Sequence, residues 1–160
     1  GLGTSLQTVA NLIAGGLNTR VYYVFHGGFD THAGQRQRHD RLMLEMDQAM
    51  HAFQADLTGL KVQDRVLTVA FSEFGRRLQE NFSQGTDHGV AGPMFLFGPT
   101  VKPGLHGQFP SLAPADLIAG DLKHTLDFRS VYATVLDTWL ATQSAPILGH
   151  QFDAVDCLQI

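Results

Sequence analysis

The chain has 160 residues, of which 44% are hydrophobic and only 16% are charged, so we expect one folded domain over 1–160 and exclude an intrinsically disordered chain. Its formal net charge is −4, and its 11 lysines and arginines form no cluster beyond pairs such as Arg76-Arg77, so nucleic acid is excluded as a partner. The sequence has no apolar run of membrane-spanning length, and its single cysteine, Cys157, excludes an internal disulfide.

Hydrophobic periodicity predicts the elements of the first half. Helical spacing of apolar residues predicts a short helix over roughly 4–15, and the β-branched and aromatic run at 21–25 predicts a buried strand. The clearest long amphipathic helix begins at about Gln35 and ends before Gly59, and a second strand follows at 65–71. This order predicts a right-handed crossover between two parallel strands, with the long helix covering one face of the sheet.

The second half of the chain has longer loops. Residues 72–92 show no sustained period, and a loop of that length is usually functional or mobile. A third strand is predicted at 93–97, antiparallel because no crossover helix precedes it, and the segment 98–126 is a predicted surface loop with a short helix near Pro114. The last helix is predicted over 127–141, with Asp127 as its cap. Three strands are few for so hydrophobic a chain, so we expect part of a larger sheet.

Two candidate metal ligands follow the first predicted strand. Asp30 and His32 are separated by one residue in a loop, which lets both side chains turn toward one point. Open α/β sheets place their sites just beyond the carboxyl ends of strands. The alternative is that Asp30 caps the following helix and that His32 hydrogen-bonds the backbone.

An acidic residue also follows the second predicted strand. A carboxylate at Glu73 is costly in that position unless it is paired or bound to a metal. Arg76 or Arg77 is the alternative partner of Glu73. Arg76 is also a candidate clamp for an anionic substrate, although both arginines could equally be solvated.

The last cluster joins Asp87 and His88 between two glycines, which allow tight turns and the close approach of a ligand. The predicted metal ligands, or their immediate supports, are therefore Asp30, His32, Glu73, Asp87 and His88. Carboxylate and imidazole ligands favour zinc first, with manganese as the second candidate. His26 is a candidate substrate residue, its alternative role being that of a buried, hydrogen-bonded histidine. No motif for a nucleophile is present.

Four motifs resemble one bacterial family. They are Gly27-Gly28-Phe29-Asp30-Thr31-His32, Ser72-Glu73-Phe74-Gly75-Arg76-Arg77, Gly85-Thr86-Asp87-His88-Gly89 and Asp127-Phe128-Arg129-Ser130-Val131-Tyr132-Ala133-Thr134-Val135-Leu136. Over nearly the whole chain, their succession resembles the domain-of-unknown-function family 1501. That family looks like a distant branch of the alkaline phosphatase and sulfatase superfamily, whose metal site is made from Asp and His residues at strand ends.

The resemblance implies an α/β fold with an alkaline-phosphatase-like sheet and flanking helices, of which this chain is the carboxyl-terminal portion. It implies a metal-dependent hydrolase acting on a small anionic phosphate or sulfate ester, and an extracytoplasmic location reached by twin-arginine export. The superfamily's nucleophile and first metal-binding aspartate come from an amino-terminal half, so we expect the isolated chain to be inactive and to self-associate or to pair with that half.

The sequence also departs from the superfamily pattern. Glu-Phe at 73–74 stands where those enzymes usually carry Asp-His, which leaves a two-metal site incomplete. Two alternatives therefore stay open. One is a non-catalytic binding or envelope-associated protein that keeps the fold, and the other is a hydrogen-bonded loop scaffold without a metal.

Overall fold

Helices and short strands make up the regular structure of the chain, whose computed structural model describes residues 1–160. The contacts divide it into two units, one of Gly1–Val66 with Gln79–Asp87 and the other of Leu67–Leu78 with His88–Ile160. No helix combines the length and the apolar character that crossing a membrane would need. The mixture of helix and strand confirms the α/β class, whereas the single domain stays a prediction.

Two helices, α1 (Leu2–Ala14) and α2 (Gln35–Gly59), form most of the first unit and confirm the two predicted helices. They pack against each other. The residues that they bury are Leu6 and Ala10 on α1 and Leu42, Ala49, Met50, Phe53 and Leu57 on α2. Because burying one large apolar side chain contributes about 1.5–3 kcal/mol, this contact is the main source of stability in the unit. Within the unit α2 therefore packs on a helix, where a sheet face was predicted.

The predicted strand at 21–25 does not form. Residues 17–32 contain neither helix nor strand. Val21, Tyr23 and Phe25 are 67%, 77% and 76% exposed, whereas the two residues between them are partly covered. This alternation is that of an extended chain with one covered face. Aromatic and β-branched residues favour extended backbone, but a strand also needs a paired neighbour, which composition cannot supply.

Four short strands follow α2, namely β1 (Thr68–Ala70), β2 (Gly75–Glu80), β3 (Thr86–Gly89) and β4 (Phe95–Phe97). They form two separate pairs, β1 with β4 and β2 with β3. Strand β1 runs antiparallel to β4, with Val69 opposite Leu96. The predicted parallel crossover is wrong, because its first strand, at 21–25, does not form and β1 pairs with β4 alone. The antiparallel orientation of the third predicted strand is confirmed.

The pair of β2 and β3 lies in the segment that was predicted to be an irregular loop. Two glycines of the second unit allow this close pairing. A Cβ atom on Gly75 would lie 1.9 Å from the carbonyl oxygen of Ala91, and one on Gly89 would lie 2.6 Å from that of Arg76. The strands are short, polar and largely exposed, so they carry no apolar alternation by which a strand is recognised in sequence.

Asp127 begins the last long helical stretch, in which α3 (Phe128–Thr134) continues into a π-helical turn over Val135–Trp139 and α4 (Ala145–Leu148) follows. The Asp127 carboxylate accepts a hydrogen bond of 2.9 Å from the main-chain N–H of Arg129. It also accepts bonds of 2.9 and 2.6 Å from the guanidinium of the same residue. Mainly through the guanidinium bonds, the pKa of Asp127 falls from its ordinary value of 3.8 to about 2. The predicted cap is confirmed.

This carboxylate makes stability depend on pH. Because its folded-state pKa of about 2 is below 3.8, its contribution is present above pH 3.8 and is lost as the pH falls toward 2. Asp127→Asn keeps a capping oxygen but removes the charge, whereas Asp127→Ala removes both. At neutral pH the free energy of unfolding of Asp127→Ala should therefore be about 1 kcal/mol lower than that of Asp127→Asn. Urea unfolding measures these differences. A gap between wild type and Asp127→Asn that does not shrink at about pH 2.5 would contradict this account.

Candidate metal centre

The imidazole of His32 lies between two carboxylates of the first unit. Its Nε2 atom is 3.0 Å from Oδ1 of Asp30, and its Nδ1 atom is 3.3 Å from Oδ1 of Asp87. The side chains of His32, Asp30 and Asp87 are 46%, 66% and 57% exposed. Exposed pairs of this kind contribute only about 0–1 kcal/mol, so the arrangement adds little stability. All three groups are within reach of a ligand from solvent.

A buried threonine fixes the two residues on either side of it. Thr31 is 2% exposed, and its main-chain N–H donates to the carbonyl oxygen of Phe29 at 2.8 Å. Its hydroxyl also donates to that oxygen, at 3.3 Å. Because Thr31 is buried, Asp30 and His32 are presented to solvent from an anchored main chain.

Asn81 ties the loop between β2 and β3 to this segment. Its side-chain Nδ2 donates to the main-chain oxygen of His32 at 3.0 Å and to Oδ1 of Asp87 at 3.3 Å. Its Oδ1 accepts from the main-chain N–H groups of Ser83 and Gly85, at 2.9 and 3.1 Å. The sequence pattern did not single out Asn81 as a site residue. The available signal was an asparagine two residues before Ser83 in a turn, where its side chain characteristically accepts from the backbone.

The same loop caps α2. The main-chain N–H of Gly34 donates to the carbonyl oxygen of Ser83 at 2.9 Å. The main-chain N–H of Gln35 donates to the carbonyl oxygen of Gln84, also at 2.9 Å. The first amides of a helix have no partner inside the helix, so these carbonyls satisfy them. The capping role considered for Asp30 is therefore not observed, since Gly34 is the N-cap and no side chain caps the helix.

His26 also packs on α2. Its Nε2 lies 3.3 Å from the carbonyl oxygen of Leu42, and because a carbonyl only accepts, Nε2 is the protonated nitrogen. Its ring meets that of Phe29 edge-on at 5.3 Å. These contacts agree with the structural alternative for His26, and its role toward a substrate stays a prediction.

In the second unit, one aromatic ring positions two of the predicted site residues. The ring of Phe74 stacks on that of His88, with centroids 3.9 Å apart and an angle of 3° between the planes. The guanidinium carbon of Arg76 lies 5.0 Å from the centroid of Phe74, within the range of a cation–π contact. Arg76, the candidate anion clamp, and His88, a candidate ligand, therefore contact the same ring.

Glu73 is exposed and makes no hydrogen bond or ion pair, so the burial cost that was expected for it does not arise. Arg77, one of its expected partners, binds Asp121 instead at 3.0 Å. That pairing leaves Arg76 as the arginine beside the candidate ligands of this unit. The role of Glu73 as a ligand stays a prediction.

Two exposed residues of the first unit, Asp30 and His32, are placed so that they could hold a metal ion. They fit one ion, because ligands at about 2.1 Å from zinc lie roughly 3.0–3.5 Å from each other. Their ligand atoms are 3.0 Å apart. Asp87 faces the other nitrogen of His32, an arrangement in which a carboxylate orients a metal-binding imidazole. The roles of Asp87, Glu73 and His88 at a metal ion stay predictions.

The fold and the site together define a mixed helix-and-strand protein with an exposed cluster of aspartate and histidine. The profile of a protein family of unknown function, DUF1501, matches residues 8–149. The chain belongs to this family. No match was found among curated proteins or among solved structures.

Gly85 provides a test of how the site is assembled. A Cβ atom there would lie 2.4 Å from the carbonyl carbon and oxygen of His32, and main-chain atoms cannot move aside as a side chain can. We expect Gly85→Ala to lower the free energy of unfolding by about 1–3 kcal/mol. Gly3→Ala is the matched control, because no atom lies within 4 Å and alanine in a helix should stabilise by about 0.5–1 kcal/mol. Thermal unfolding compares them, and a Gly85→Ala protein as stable as wild type would refute the close contact.

Proposed function

We propose that this protein is related to metal-dependent hydrolases of phosphate or sulfate esters, and that Asp30 and His32 bind a divalent cation, with His88 as a further candidate ligand from the sequence. Zinc is the first candidate and manganese the second. The observation that carries the proposal is the position of the His32 ring, with one nitrogen beside Asp30 and the other beside Asp87. The resemblance to the alkaline phosphatase and sulfatase superfamily supports the reaction class.

Each residue has a distinct part in this proposal. A bound cation would polarise an ester oxygen and stabilise negative charge in the transition state. Asp87 accepts from Nδ1 of His32 and so leaves the Nε2 lone pair available on the side of Asp30. Arg76 can bind the anionic group of the substrate through two parallel hydrogen bonds. Glu73, which has no protein partner, is the candidate for a further ligand.

The proposal includes an alkaline-phosphatase-like sheet completed by an amino-terminal half, and an extracytoplasmic location. The exposed apolar side chains at 21–25 support a missing neighbour, because an extended apolar segment with open backbone groups attracts another strand. The isolated chain should therefore self-associate through this segment. Light scattering over a range of concentrations tests this, and a monomer throughout would contradict it.

A second candidate function is that of a non-catalytic binding or envelope-associated protein. The hydrogen bonds of Asn81 favour it, since this one side chain contacts His32, Asp87 and Gly85. On this hypothesis the charged residues are a solvated surface of a loop scaffold. Metal content of the purified protein separates the two candidates.

Binding of zinc and manganese can be measured by calorimetric titration. His32→Ala and His88→Ala each remove a ligand, so each should weaken binding by at least the roughly 10–100-fold typical of changes around a metal site. Asp87→Asn should give a smaller loss, because Asp87 only orients the ring of His32. Glu73→Ala should also weaken binding if this residue is a ligand.

His51→Ala is the control, because His51 is an exposed histidine on α2. It should bind both ions as wild type does. Equal losses in all the variants would indicate unfolding, which circular dichroism would detect. Undetectable binding by wild type would refute the metal centre and favour the scaffold. Hydrolysis of 4-nitrophenyl phosphate and 4-nitrophenyl sulfate then tests the reaction class separately.

A further inference from the structure

A cavity of about 620 Å³ lies in the second unit, within the glycine- and proline-rich segment 98–126. Its walls come from three stretches of chain, at 108–111, 115–118 and 123–125. Small-molecule sites commonly have volumes of about 300–1,000 Å³. A long segment with little regular structure is also a common location for function. Neither the candidate metal centre nor the family match accounts for this cavity.

Two side-chain hydrogen bonds hold the walls. The hydroxyl of Ser111 donates to Oδ2 of Asp116 at 2.6 Å. The hydroxyl of Thr125 donates to the carbonyl oxygen of Gln108, also at 2.6 Å. The second bond joins the first and the last of the three stretches.

A tight turn fixes the remaining wall. The main chains of Ile118 and Asp121 exchange two hydrogen bonds of 2.9 Å. The two residues between them, Ala119 and Gly120, have φ values of 51° and 85°, as in the two-residue turns that close hairpins. Arg77 of β2 holds the Asp121 carboxylate at 3.0 Å. The chain therefore leaves this turn in a fixed direction and brings Lys123 to the wall.

Two basic residues belong to the lining of the cavity. Lys123 and His124 line it, and neither side chain makes a hydrogen bond or an ion pair with the protein. Asp116 is the one acidic residue of the lining, and it already accepts the hydroxyl of Ser111. The side-chain donors of the lining without an acceptor in the protein are those of Gln108, Lys123 and His124. They are complementary to an anionic group.

The lining also includes three apolar residues, Phe109, Leu117 and Ile118. We propose that this cavity binds a small organic anion, with its acidic group at Lys123 and His124 and its apolar body against Phe109 and Ile118. A carboxylate, phosphate or sulfonate on an aromatic or branched body has this chemistry. The proposal is independent of the proposed function, because its residues all lie between 108 and 125.

The test uses 8-anilinonaphthalene-1-sulfonate, an aromatic anion whose fluorescence rises in apolar surroundings, and the uncharged N-phenyl-1-naphthylamine. The full chain is titrated with each probe. Lys123→Gln removes one charge-assisted hydrogen bond and should weaken binding of the sulfonate about tenfold. It should leave the uncharged probe unaffected. Phe109→Ala should weaken both probes, since it removes part of the apolar wall.

Lys61→Gln is the matched control, because Lys61 is an exposed lysine of the first unit. It should bind both probes as wild type does. Wild-type affinity of Lys123→Gln for the sulfonate would overturn the proposal, and so would an equal loss in Lys61→Gln. If Lys123→Gln does not fold, as judged by circular dichroism, His124→Gln replaces it with the same expected pattern and a smaller loss.

Discussion

The main chain of Gly85 lies directly on the main chain of His32, and several hydrogen bonds of the site join the two segments around that contact. A side chain at Gly85 would separate the two segments, because its first carbon would lie 2.4 Å from backbone atoms. With the segments in contact, the carbonyls of Ser83 and Gln84 reach the first amides of α2. The same approach brings Asp87 to the ring of His32. One backbone contact thus serves both the capping of a helix and the geometry of the candidate site.

The energetics of the site separate its scaffold from its chemistry. The scaffold consists of main-chain hydrogen bonds, the buried Thr31 and the amide of Asn81, whose loss would leave polar groups without partners. The carboxylates and the imidazole are exposed, and pairs between such groups contribute little to stability. Charged residues here can therefore change with little effect on folding.

The sequence predicts the helices and helix boundaries well. Apolar residues at helical spacing locate α1 and α2, and an aspartate before an apolar stripe locates the start of α3, because helix formation and capping depend on residues that are near in sequence. The strands are less predictable. The segment 21–25 has the composition of a strand and lacks a partner, whereas β2 and β3 are paired and lack an apolar pattern. Strand pairing joins segments that are far apart in the chain, so it cannot be predicted from a short stretch of sequence.

The sequence by itself determined which residues are available for chemistry. It located Asp30 and His32 together in one loop and Asp87 beside His88 in another, through their types and spacing alone. Only the tertiary structure decided that Asp87 faces Nδ1 of His32, that Asn81 joins the two loops and that Asp121 forms an ion pair with Arg77. The reason is physical: spacing along the chain fixes neighbours within a loop, while the partner of a side chain depends on which distant backbone segments pack together.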